Sequence, residues 1–144
     1  LVLYAIVLRR SEFNEPMDGI VYGVVVSLGF ATYENYDYVF RLAETWDIAP
    51  SQLAIWRSYS AVPMHGLNGC IMGFYFGMYA FTAKKKYLLQ SLMLPYLFHG
   101  MYNYIGNPLH LSIIGIMIVF TFILHQKLKK LQKEKEKESE IIKI

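Results

Sequence analysis

The sequence predicts an all-α, polytopic membrane protein with four transmembrane helices preceded by the last turns of a truncated first one. Three observations point there. Apolar residues make up 55% of the 144 and gather into runs, Lys and Arg fall on alternate connections between the runs, and small residues recur every four positions in two of them. With 16% aromatic residues and a net charge of +3, the chain is too apolar for an ordinary soluble domain.

The opening run, residues 1–8, is too short to cross a bilayer, which takes roughly 20 apolar residues. It reads as the end of a helix that begins upstream. Its charges, Arg9 and Arg10, follow the apolar run, the reverse of a signal peptide. Four longer runs then come near spanning length, at residues 17–40, 62–82, 87–105 and 109–125. Pro16 and Asp18 suit the first turn of the first of these, where Pro forfeits no needed hydrogen bond and Asp meets the positive helix end. Trp46, Trp56 and Tyr59 in the following connection fit an interfacial belt or a helix lying on the surface. Pro95 frees a backbone carbonyl in the third run, and His110 and His125 sit at the two ends of the last. The only cysteine, Cys70, falls inside an apolar run and reads as a small packing residue.

If the runs alternate direction, one side receives Arg9, Arg10, Lys84, Lys85, Lys86 and the tail lysines, while the other receives only Arg41 and Arg57. The positive-inside rule then places the C-terminus in the cytoplasm and the 41–61 loop outside a plasma membrane. Residues 1–126 form the membrane domain, and residues 127–144, alternating Lys with Glu, a charged helical tail.

Gly19, Gly23, Ser27 and Ala31 recur every four residues, as do Gly69, Gly73 and Gly77. Such ridges let helix backbones approach closely in lipid, where burying Leu against Leu gains little. Glu34 shares the first ridge's face, and His65 stands one turn before Gly69. His99 and Asn103 are one turn apart in the third span. The alternating directions bring all four to the outer half of the membrane.

A carboxylate and two imidazoles at membrane depth are costly and ask for a purpose. They can bind Zn2+, leaving a position for water whose lowered pKa suits peptide-bond hydrolysis. They can equally be hydrogen-bonded packing residues, or, with Asp37, a proton relay of the transporter kind.

The motifs EPMDG, GFATYENYDY, then Arg57 with VPMHGLNGCIMGFYFG, then LFHGMYNYI resemble, in order, the conserved blocks of PrsW-type intramembrane metalloproteases, a family similar to the CAAX-prenyl-protease and bacteriocin-immunity membrane proteins. The resemblance implies that Glu34, His65 and His99 are active-site or metal-binding residues, with Zn2+ as the expected metal. It implies that Asn103 supports catalysis, holding the oxyanion or orienting His99. Asn35 belongs to the motif and is expected to face another neighbour. The resemblance also implies a membrane-anchored protein substrate such as an anti-sigma factor, cut at the first site; nucleic acid is not among the expected partners. The family's paired glutamates followed by a lysine belong to the helix represented here by residues 1–8, and no such pair is present. Related prenyl proteases are argued to work with glutamate and histidine alone. The alternative functions are a non-catalytic partner-binding or immunity module of the same fold and, third, a proton-coupled carrier, for which no paired inverted repeats speak.

Overall fold

A computed structural model describes residues 2–5, 7–105 and 109–142. Leu1 and Ile6 of the opening run and the last two residues of the tail lie outside the described residues, and nothing follows for them. The fold is all-helical, with no strand among the described residues.

A short helix α1 (Val2–Ala5) and a 3-10 turn (Val7–Arg9) lead to α2 (Pro16–Asp37). Pro16 opens α2, and Asp18 Oδ2 accepts the backbone N–H groups of Asn14 and Glu15 at 3.0 and 2.9 Å, which closes a capping box around Glu15. Asp18 is thus engaged in capping, as its position in the first turn predicts. The chain widens into a π-helical turn (Tyr38–Leu42), passes through a single turn α3 (Ala43–Thr45), and forms α4 (Pro50–Tyr59). Three long helices follow: α5 (Ala61–Thr82), α6 (Lys85–Ile105) and α7 (His110–Ile142). Their limits lie close to the apolar runs, and α7 continues unbroken into the charged tail.

α5 is the central helix. It packs against α2, α4, α6 and α7, and buries Met64, His65, Ile71, Phe74 and Met78 among others. Its closest partner is α2. A Cβ on Gly19 would lie 2.5 Å from the Gly73 carbonyl oxygen, and one on Gly69 would lie 2.6 Å from Val24 Cα. Both ridges of small residues therefore face each other backbone to backbone, the arrangement their four-residue spacing predicts. The opening run docks on this pair, with Leu3 and Val7 buried beside Phe76.

α4 packs on α5 and on the π-helical turn, with Leu53 and Arg57 buried and Ile55, Trp56 and Tyr59 exposed. Among the described residues one helix, over His110–Glu134, is long and apolar enough to cross a membrane by length and composition alone. The other long helices carry more polar and small residues: Asp18, Glu34 and Asp37 in α2, His65, Asn68 and four glycines in α5, and Lys85, Lys86, Gln90, His99 and Asn103 in α6. Large apolar side chains nevertheless point outward along α2, α6 and α7, among them Val25, Leu92, Leu97, Val119 and Phe122.

Candidate metal centre

Four helices meet where α2 ends. Antiparallel packing with the glycine ridges in register carries the last turns of α2 alongside the first turns of α5. Ser27 Oγ donates to the His65 carbonyl at 2.7 Å and ties the two helices together one step before the polar groups begin. α6 returns beside α5, bringing His99 level with His65; the imidazole centroids are 5.1 Å apart.

Glu34 sits between them. Its Oε2 lies 3.1 Å from His65 Nε2, and its Oε1 lies 3.4 Å from His99 Nε2. One ligand-capable atom from each of the three residues falls within 4.8 Å of the other two. Side-chain exposure is 2% for His65, 16% for Glu34 and 25% for His99, so one wall is sealed and the other open to small molecules. Phe30, one turn before Glu34, presents its ring to both imidazoles, with centroids 5.7 and 6.3 Å away.

The donor set fits a divalent metal of the zinc type. An ion bound tetrahedrally at ~2.1 Å separates its ligands by roughly 3.4 Å, so donor atoms within 4.8 Å of one another need only a small inward shift to close on it. His99 Nε2 is buried without a hydrogen-bond partner, although a buried ring nitrogen ordinarily has one. Two imidazoles and one carboxylate leave a fourth position for water or substrate. Asn103 Nδ2 lies 3.3 Å from His99 Nδ1, on the ring edge away from Glu34. That amide is placed to fix the imidazole's orientation.

The sequence-predicted residues Glu34, His65 and His99 are therefore brought together, with Asn103 behind His99. Asp37 is not among them. It accepts a hydrogen bond from Arg41 Nη1 at 2.8 Å, an i,i+4 pair on the surface. Asn35 does face another neighbour, and that neighbour is Arg57.

Arg57 is the residue that sequence reasoning missed, having counted it only as a charge on the outer side and a member of a motif. Its side chain is 8% exposed, and its Nη2 donates to Glu34 Oε2 at 2.6 Å. Nε donates to Asn35 Oδ1 at 2.6 Å, and the guanidinium carbon stands 3.7 Å from the Tyr38 ring centroid. A signal was available: Arg57 stands four residues after Leu53, hence on the buried face of α4.

Comparison with known proteins points to one family. Residues 1–125 match the family described as PrsW family intramembrane metalloprotease. Protease PrsW of Geobacillus kaustophilus is 43% identical over 72% of this chain and 44% of its own length. Protease PrsW of Clostridioides difficile is 34% identical over 92% of this chain and 57% of its own length. Protease PrsW of Bacillus subtilis is 38% identical over 92% of this chain and 59% of its own length. The chain thus spans about half the length of the curated relatives it matches. No solved structure matches it.

Proposed function

The chain belongs to the PrsW family of intramembrane metalloproteases, and from that premise we propose that it forms the metal-binding core of a protease that hydrolyses peptide bonds of membrane-anchored proteins. The meeting of Glu34, His65 and His99 from three helices carries this reading. His65 Nε2, His99 Nε2 and a Glu34 oxygen are the atoms that would hold Zn2+. When bound, such an ion supplies Lewis acidity and lowers the pKa of water beside it.

The chain's own groups do the rest. His65, sealed among α2, α5 and α6, gives the site a fixed wall. Glu34 and His99 border the open side, where water and a substrate carbonyl enter. Asn103 holds the far edge of His99, and its amide N–H can turn to a developing oxyanion. The reaction needs an extended, unfolded stretch of substrate, which an anti-sigma factor with a single span supplies on its outer side, in a site-one type cut.

In this reading four spans cross the plasma membrane, with the 41–61 loop outside and the C-terminus in the cytoplasm. The one-sided distribution of basic residues and the outward apolar side chains of α2, α6 and α7 support that topology. Residues 1–126 form the protease domain and residues 127–144 a charged cytoplasmic helix.

One observation favours a second reading. Arg57 already neutralises Glu34, so the cluster can hold the bundle together without an ion, as a non-catalytic partner-binding or immunity module of the same fold would require. The deciding experiment incubates candidate single-span proteins with the full-length gene product in membranes, comparing wild type, His65→Ala and His99→Ala with and without a zinc chelator. Cleavage by wild type alone, abolished by the chelator and restored by Zn2+, is expected. Cleavage that persists in the chelator removes the metal, and cleavage that persists in both variants removes the site.

A further inference from the structure

The chemistry proposed above leaves Arg57 without a task, yet its surroundings are more closely specified than those of the three ligand candidates. Two nitrogens and one face of the guanidinium are held. Nη2 is on Glu34 Oε2, Nε is on Asn35 Oδ1, and one face lies on Tyr38. All three partners come from one stretch, the last turn of α2 and the first residue of the π-helical turn, whereas Arg57 itself comes from α4. A planar fork gripped at two edges and a face has no freedom to swing. The carboxylate it grips is therefore fixed as well.

Glu34 has two oxygens with different surroundings. Oε2 takes the guanidinium and stands near His65, while Oε1 faces His99 Nε2, the buried nitrogen that lacks a hydrogen-bond partner. We propose that Arg57 is the positioning residue of the metal centre: by holding Glu34 through Oε2 it turns Oε1 toward His99 and toward an incoming ion. Asn35 and Tyr38 in turn hold Arg57, which gives the adjacent Glu34 and Asn35 one shared purpose. This assignment rests on the metal-centre reading and deepens it.

The sign of the effect separates positioning from simple charge balance. A cation beside a divalent ion repels it, so an arginine serving only as counter-ion competes with the metal, and its removal tightens binding. A residue that orients a ligand does the opposite; loss of such an outer partner typically weakens metal affinity ~10–100-fold.

Purified full chain in detergent, titrated with Co2+ and followed by its visible absorption, distinguishes the two. Wild type is expected to bind Co2+ with an intense, tetrahedral-type spectrum. Arg57→Met is expected to bind about 10-fold more weakly with an altered band shape. Arg57→Lys should recover part of the affinity, because an ammonium restores the charge but cannot span Glu34 and Asn35 together. Asn35→Leu should weaken binding in the same direction by less. Should circular dichroism show Arg57→Met unfolded, Arg57→Lys and Asn35→Leu carry the comparison. Equal or tighter binding in the folded variants overturns the positioning role and leaves the metal centre standing. Failure of wild type to bind Co2+ overturns the metal reading and this assignment together.

Discussion

The contact between α2 and α5 is built in two contrasting ways along its length. Toward the start of α2, Gly19 and Gly23 lie against Gly69, Gly73 and Gly77, backbone on backbone, with no side chain between. Toward its end, Glu34 meets His65 at 3.1 Å, and charged and polar side chains fill the space. Ser27, donating to the His65 carbonyl, marks the change. The first region works by what it lacks and sets how closely the helices run. The second depends on that closeness, because a carboxylate reaches an imidazole on the next helix only if the backbones have already been drawn together.

If this dependence is right, damage to the glycine end should disable the polar end but not the reverse, and the largest effect on activity should come at the polar end. His65→Ala is expected to lower cleavage by the full-length protein at least ~10³-fold, about 4 kcal/mol of barrier, while leaving the thermal unfolding of the helices nearly unchanged. A melt that collapses along with activity would mean that His65 is chiefly a packing group.

Gly73→Ala tests the other end. Its Cβ would strike the Gly19 backbone, which cannot yield as a side chain can, so roughly 3 kcal/mol of stability should be lost in a denaturation series. Co2+ binding should weaken as well, although Gly73 stands two turns from the ligands. Unchanged metal binding in a stably folded Gly73→Ala would separate the two regions.

Ser27→Ala removes the hydrogen bond at their junction and should cost about 1 kcal/mol in the same series. The smallest effect is a control on α5 itself. A Cβ on Gly66 meets nothing within 4 Å, so Gly66→Ala should be neutral or stabilise by at most ~1 kcal/mol through helix propensity. A loss comparable to that of Gly73→Ala would show that any added methyl harms α5, and that the ridge is not special.

Much of this molecule was legible from the chain alone because the signals are local. Apolar runs, the Pro16 and Asp18 start of α2, and a four-residue recurrence of small residues fix where the helices lie and which faces meet, since each depends on neighbours within a turn or two. The same periodicity put Glu34, His65 and His99 on inward faces at similar depth. The escape of Asp37 into a surface pair with Arg41 was also within reach, four residues apart on one helix.

Tertiary structure alone decided the partners. Arg57 stands 23 positions after Glu34 on a separate helix, and no spacing rule foretells that its fork closes on Glu34 and Asn35 at once. Nor does sequence say which oxygen of Glu34 faces which imidazole, or that Phe30 borders both rings. The reason is physical. Periodicity assigns a side chain to a face, whereas its partner is set by helix separation, relative height and rotamer, and these are fixed only when the glycine ridges have brought the backbones together.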